Sequence, residues 1–239
     1  ALDSGEEIKK IGDIHGTVIL RNALDGIKDA VTIPSFEETA KSKDAFNEAF
    51  KKTYEEQDPY RGRTIVQKHG ERYVIQYPPA LPLTAEQMDS LYAADFAMKP
   101  HPGYDKDGGV PGFETVRTSI ASHRGCPGEC SFCSLYMHQG RIIQSRSRTS
   151  IIEEVRRIAQ REDFRGTITD IGGPTANLYA AQCKQWTKGS GACKGRKCLI
   201  PVKCANLRTG YRETLDLWRE AAKIPGVRNI FIGSGVRYD

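Results

Sequence analysis

The chain has 239 residues, 38% hydrophobic and 27% charged, with a formal net charge of +5. That composition supports a packed core, and no apolar run approaches the roughly 20 residues that span a bilayer. The modest positive charge permits acidic partners without demanding nucleic acid, while seven cysteines, an odd number, suit metal ligation in a reducing, cytoplasmic compartment better than a disulfide framework.

The first residue is Ala1, and residues 6–11 already read as a helix inside a domain. Gly12-Asp13-Ile14-His15-Gly16 is the G-D-x-H-G string of metallophosphoesterases. The companion motifs that would complete a two-metal clamp are missing from the sequence, so the string reads as a turn into a strand over residues 15–20. Residues 36–56 form one amphipathic helix dense in Lys and Glu. Residues 63–68 and 73–77 alternate as a hairpin turning at His69-Gly70-Glu71. A further helix over residues 84–96 follows Pro78, Pro79 and Pro82. Three prolines and four glycines between residues 100 and 114 mark a linker. The expected organisation is a mixed α/β accessory segment over 1–99, the linker over 100–114, and a second domain over 115–239.

That second domain carries the chemistry. Residues 116–122 (VRTSIAS) read as a strand that feeds into Arg124-Gly125-Cys126-Pro127-Gly128-Glu129-Cys130-Ser131-Phe132-Cys133, a C-x₃-C-x₂-C spacing. Three thiolates on one loop can hold three irons of a [4Fe–4S] cube and leave the fourth iron open. Ferredoxin loops use other spacings and four cysteines. The competing readings are a structural zinc site and thiols that bind nothing.

Ser150 and Glu153 make a capping box, with Ile151, Ile152, Val155 and Ile158 at helical spacing behind it. Residues 167–171 form the next strand, closed by Gly172-Gly173-Pro174. That tripeptide is either a tight turn or bare backbone against which a ligand lies. Strand, cysteine loop, helix, strand and Gly-Gly make the opening of a βα-barrel with its active face at the strand C-termini. A third strand is expected over residues 228–232. A full barrel needs about 200 residues or more, and the stretch after Val116 is too short for one. The chain therefore reads as an internal piece of a longer enzyme, expected to be inactive alone because half a barrel exposes strand edges.

Two further groups stand out. Cys183, Cys193, Cys198 and Cys204 punctuate a Gly- and Lys-rich insert over residues 183–204. Four soft ligands there could hold zinc or an auxiliary iron–sulfur cluster, or stand as thiols without metal. Arg141, Gln144, Arg146 and Arg148 follow the cysteine loop and are candidates for contacts to acidic groups, or else a solvated basic rim.

His-Pro-Gly-Tyr at 101–104, His-Arg-Gly-Cys at 123–126, Gly-Arg-Ile-Ile-Gln-Ser-Arg-Ser at 140–147, Asp-Ile-Gly-Gly-Pro-Thr-Ala-Asn-Leu-Tyr at 170–179 and Gly-Ser-Gly-Val-Arg-Tyr-Asp at 233–239 resemble the YgiQ-type radical SAM proteins. The resemblance is strongest from about residue 98 onward. It implies an α/β fold with a partial (β/α) TIM-like barrel, a [4Fe–4S] cluster on Cys126, Cys130 and Cys133, and S-adenosylmethionine on the open iron. Reductive cleavage to a 5′-deoxyadenosyl radical would follow, with an electron from a donor such as a flavodoxin or ferredoxin and hydrogen abstraction from an unidentified substrate.

By the same resemblance, Phe132 packs near the adenine and Gly172 and Gly173 contact the methionine amino group. Pro174 stands where the superfamily usually has Glu. Ser234 and Arg237 are placed to meet the ribose or carboxylate. The alternative class is a structural zinc-binding module that engages a protein or RNA partner. No membrane partner is expected.

Overall fold

A computed structural model of the chain describes residue 5, residues 12–195 and residues 197–238. The expected helix over residues 6–11, together with Arg196 and Asp239, lies outside them. The chain divides into two compact units, residues 1–81 with 188–195, and residues 82–187 with 196–239. The division at Leu81 falls ahead of the Pro/Gly-rich stretch expected to mark the boundary.

In the first unit, β1 (Val18–Arg21), β2 (Ala30–Ile33), β3 (Thr64–His69) and β4 (Arg72–Gln76) form a four-stranded sheet in the order β1-β4-β3-β2. The β3–β4 hairpin turns where the sequence placed it, through Gly70 at φ 55°, a conformation that favours glycine. The β2–β3 pair is parallel, and residues 34–63 between them carry the crossover helices. Alternation puts Val66, Ile75 and Tyr77 in the core, with Ile19, Leu24, Ile27 and Tyr73 packed against them.

Two expectations in this unit need correction. The single helix over 36–56 is α1 (Phe36–Lys41) followed by α2 (Lys43–Glu55). Ser42 adopts an extended backbone, ends α1, and accepts the Ala45 N–H to cap α2. A serine that bonds to its own downstream backbone competes with helix continuation. The expected strand over 15–20 begins later, at Val18, because His15 and Gly16 turn, with Gly16 at φ 78°. Buried Glu56 closes the helical segment by taking Arg63 on both carboxylate oxygens.

The second unit opens with α3 (Ala85–Tyr92), where Thr84 and Gln87 form a capping box. The Pro/Gly-rich stretch is structured: a 3₁₀ helix spans Pro102–Asp107, entered through the His101 side chain and closed by Gly108 at φ 90°. A short α4 (Phe113–Val116) follows. The strand expected from 116 therefore begins only at Ser119, as β5 (Ser119–Ala121).

Beyond it come β6 (His123–Arg124), α5 (Leu135–Gln139), β7 (Gln144–Ser145) and α6 (Arg148–Ala159). The strand expected over 167–171 is split into β8 (Thr167–Ile168) and β9 (Asp170–Gly172). The rest is a 3₁₀ turn at Ala176–Leu178, then β10 (Gln182–Cys183), α7 (Lys184–Thr187), β11 (Leu207–Arg208), α8 (Tyr211–Ala221) and β12 (Asn229–Ile230).

The three strands expected to open a barrel are all parallel, but they form two-stranded pairs. β5 pairs with β9, and β12 pairs with β8. Among the described residues the architecture is thus mixed α/β with small sheets, and these do not form a TIM barrel. Ile120, Ile168 and Ile171 from these strands pack on Ile151, Ile152, Val155 and Ile158 of α6 and on Leu217 and Ala221 of α8. Among the described residues, no helix is long and apolar enough to cross a membrane.

Helix α6 starts at Arg148, capped by Ser147, whose hydroxyl accepts from Ser150 N–H. In place of the capping box expected at Ser150, a simple serine cap stands one turn earlier. Ser150 instead serves Arg146, which is fully buried. Arg146 Nη1 donates to Ala121 O at 3.0 Å and to Glu154 at 2.5 Å, Nη2 donates to Ser150 O and Oγ, and Nε to Ser150 Oγ. All five guanidinium donors are thereby used, and the Tyr92 ring lies 4.2 Å away. This arginine is internal, not part of a solvated rim.

Breaking a buried pair strands the remaining charge, so Arg146→Ala is expected to cost about 3–5 kcal/mol. The loss should be read as a lower urea midpoint through Trp186 and Trp218, both in this unit. Arg146→Met combined with Glu154→Leu should cost less than the single change.

Candidate functional site

The cysteine loop leaves the fold through a narrow neck. Ser122 continues β5 and bonds across to β9, its N–H donating to Gly172 O at 2.7 Å and its hydroxyl at 3.0 Å. β6 and β7 then pair antiparallel, His123 with Ser145 and Arg124 with Gln144. Gly125, at φ 86°, passes so close to the Ile142 carbonyl that a Cβ would overlap it. Gly125 N donates to the Gln139 side chain at 3.1 Å, and Cys126 N donates to Gly140 O at 3.0 Å. The two ends of the loop are therefore tied side by side.

Within the loop, Cys126, Cys130 and Cys133 are half-buried free thiols. Cys133 N donates to Cys130 O, and Leu135 N approaches the Cys133 sulfur at 3.5 Å. A Cβ built on Gly128 would lie 3.3 Å from Cys126 Sγ, 3.7 Å from Cys130 Sγ and 3.4 Å from Arg237 Nη1. The absent side chain leaves these three groups gathered about one backbone position. Burial raises the Cys126 pKa, and the neighbouring Cys130 and Cys133 add to the rise. The Gly128 backbone and Arg237 pull the other way. Glu129, at φ 46° and nearly buried, pairs with Arg141 at 2.8 Å. Phe132 is 91% exposed.

The strand end beside the loop is crowded where glycine is required. A Cβ on Gly173 would fall 2.7 Å from both the His123 carbonyl and its ring. A Cβ on Gly172 would meet Ser234 Oγ and both oxygens of Asp170. Asp170 and Gly172 are two apart on one strand and so share a face. Asp170 Oδ2 accepts the Ser234 hydroxyl, and Oδ1 is buried with no hydrogen-bond partner.

His123 is 2% exposed. Its Nδ1 meets Ser122 Oγ at 2.9 Å, and Nε2 lacks a hydrogen bond of normal length. Burial drives its pKa down to about 4 against the opposing pull of the Thr175 backbone. The ring is neutral at pH 7.

The sequence-derived residues are thus brought together unevenly. Cys126, Cys130, Gly128 and Arg237 share one place. Gly172, Ser234 and Asp170 share another, and Gly173 faces His123. Ser234 is engaged with Asp170, and Arg237 Nη1 donates to Cys130 Sγ at 3.6 Å. Asp170 and His123 carried no role in the sequence reading. The i, i+2 relation to Gly172 was a signal for Asp170, whereas nothing local marks His123.

Three of the rim candidates are engaged within the fold, Arg141 with Glu129, Gln144 with Leu83 N and Arg146 as described, while Arg148 is exposed and pairs with Glu220 at 3.7 Å on the surface. Cys183, Cys198 and Cys204 are buried in an apolar cluster with Ile142, Leu178, Trp186, Leu199 and Leu207. Burial raises the Cys198 thiol pKa. Cys193 lies in the segment grouped with the first unit. Among the described residues, no three His, Cys, Asp or Glu side chains converge on a single-ion site.

Two outcomes test this packing. Gly173→Ala must displace the His123 backbone or ring and is expected to cost about 1–3 kcal/mol. Gly112→Ala, with open space around it, should stay within about 0.5 kcal/mol of wild type. The His123 ring titrates near 6.5 when unfolded and near 4 when folded, so the unfolded chain binds the extra proton between those values. Its contribution to stability is full above pH 6.5 and falls by about 3 kcal/mol as the pH drops to 4. Urea unfolding at stepped pH should show His123→Asn losing that part of the slope.

Comparison with known proteins accounts for the whole chain. Residues 1–119 match the family model described as radical SAM N-terminal. Over 238 residues, all of this chain, it is 46% identical to a UPF0313 protein of Methanocella arvoryzae. It is 47% identical over 235 residues to a UPF0313 protein of Clostridium botulinum (strain ATCC 19397 / Type A) and 46% identical over 239 residues to one of Clostridium perfringens (strain ATCC 13124). The chain spans 39%, 36% and 36% of those three proteins. The likeness therefore extends over the N-terminal residues, where the motifs were weakest, and it absorbs the G-D-x-H-G string. The chain belongs to the YgiQ-type UPF0313 family of radical SAM proteins.

Proposed function

We propose that the protein containing this chain is a radical SAM enzyme, with a [4Fe–4S] cluster on Cys126, Cys130 and Cys133 and S-adenosylmethionine beside it. The observation that carries the reading is a three-cysteine loop cinched at Gly125 and Ile142, next to the C-terminal ends of parallel strands. The donor set suits a cube. Each thiolate takes its own iron, so three sulfurs spread along a loop need not converge on one point as single-ion ligands must. When bound, the cluster and S-adenosylmethionine supply a 5′-deoxyadenosyl radical by one-electron cleavage of the sulfonium. The completed enzyme would carry a (β/α) barrel begun by β5, β8/β9 and β12.

The chain's own residues divide the remaining work. Gly172 and Gly173 offer bare backbone at the strand end, where any side chain would fill the space. Pro174 lacks the carboxylate usual in the superfamily. Asp170 Oδ1, held in place through the Ser234 bond to Oδ2, is the acceptor available there for an ammonium group. Phe132, 91% exposed, keeps an apolar ring free for a base to stack on. Neutral His123 fills the space behind Gly173 without adding charge. The electron comes from a low-potential donor such as a flavodoxin or ferredoxin, consistent with a reducing cytoplasm. With both groups bound, a hydrogen atom would be taken from a substrate that is not identified.

The full-length protein, reconstituted without oxygen using iron and sulfide, should show broad absorbance near roughly 400 nm and about four irons per chain. It should release 5′-deoxyadenosine on reduction with S-adenosylmethionine. Cys126→Ala, Cys130→Ala and Cys133→Ala should each abolish both signals. A wild-type protein that stays colourless and holds one zinc would overturn the assignment.

A further inference from the structure

Arg237 sets a guanidinium against a sulfur of the cysteine loop, and its placement is enforced from behind. Nη1 lies 3.6 Å from Cys130 Sγ, and the bare Gly128 backbone lets it approach Cys126 as well. The main chain of Arg237 is clamped by Asn177. Asn177 Oδ1 accepts Arg237 N–H at 3.0 Å, and its Nδ2 donates to Arg237 O at 2.8 Å. Asn177 is itself 7% exposed, on the 3₁₀ turn that follows Gly-Gly-Pro. One residue away, Ala176 N donates to Gly235 O at 2.9 Å. Three hydrogen bonds thus fix the loop after β12 against the segment after β9. Ordering a buried amide against a distant main chain costs conformational entropy, which the two completed hydrogen bonds offset.

We propose that Arg237 is a positioning residue for the metal cluster, holding the Cys130 thiolate through an N–H···S bond and lending it fixed positive charge, with Asn177 holding Arg237 in place. This rests on the cluster assignment above, and it replaces the expectation that Arg237 meets the ribose or carboxylate of S-adenosylmethionine. Adding an electron to a thiolate-ligated cluster increases its negative charge. Hydrogen bonds to the sulfurs and nearby cations favour the reduced form and raise the potential. Arginine cannot lose its proton in this setting, so the effect is constant with pH.

The test uses the full-length protein with its cluster reconstituted and no S-adenosylmethionine present, titrated potentiometrically and followed by electron paramagnetic resonance. Arg237→Gln should keep its iron and sulfide while its midpoint potential moves to more negative values. Arg237→Lys, which keeps the charge, should stay closer to wild type. Asn177→Ala, which keeps the arginine but releases it, should shift in the same direction as Arg237→Gln. An unchanged midpoint in Arg237→Gln with a full cluster overturns the inference and leaves the cluster assignment standing. So does a variant that, in a separate binding titration, is altered only in its affinity for S-adenosylmethionine. If Arg237→Gln loses its cluster, iron release to a chelator decides: faster release from Asn177→Ala than from wild type supports the role, and equal rates overturn it. If wild type itself assembles no cluster, the assignment fails first and this inference falls with it.

Discussion

Arg146 is the cation around which the second unit is assembled. Its guanidinium ties the end of β5 at Ala121 to Ser150 and Glu154 of α6, and it lies on the Tyr92 ring of α3. Its main chain is engaged as well, with N–H donating to Ser122 O and the carbonyl accepting the Tyr179 hydroxyl. A charge so placed is tolerable only with every donor satisfied, because desolvation of an unpaired ion costs several kcal/mol. The arrangement therefore admits little adjustment. Ser122 and His123, which launch the cysteine loop, inherit that fixed geometry.

From this base the site is built by exclusion as much as by contact. Gly125 lets β6 and β7 close the neck of the loop, Gly128 lets two sulfurs and a guanidinium come together, and Gly173 lets the His123 ring fit beneath the strand end. At each place a methyl group would occupy the space the function requires. Asp170 and His123 each retain a buried polar atom without a hydrogen bond. Such atoms are uncommon in protein interiors, and here both lie on the segments that adjoin the Gly172-Gly173 strand end.

The errors in reading the fold have specific causes. Ser-x-x-Ser and Ser-x-x-Glu overlap at residues 147, 150 and 153, so composition could not decide which serine caps α6. Burial of Arg146 decided it by claiming Ser150. Ser42 sits in a sequence whose charge pattern continues across it, yet its side chain ends one helix and starts the next. Val116 is β-branched, but it completes the short helix begun after Gly112. Cys183, Cys198 and Cys204 are a separate case: their spacing counts thiols, and only the fold shows the apolar neighbours around them.

The sequence alone determined the features that are local in the chain. The three-cysteine spacing, the strand and helix order around it, the Gly-Gly-Pro and the β3–β4 hairpin depend on residues within a few positions of one another, where backbone preference and periodicity act directly. Tertiary structure decided which distant groups meet. Arg237 reaches Cys130, Asn177 holds Arg237, Ser234 finds Asp170, and Arg146 turns inward to Glu154. Each of these meetings but the last joins residues some 60 or more positions apart, and the last depends on α6 packing over the end of β5. Pairings of that kind are set by strand register and by the cost of burying a charge unpaired, and neither is written in any short stretch of sequence.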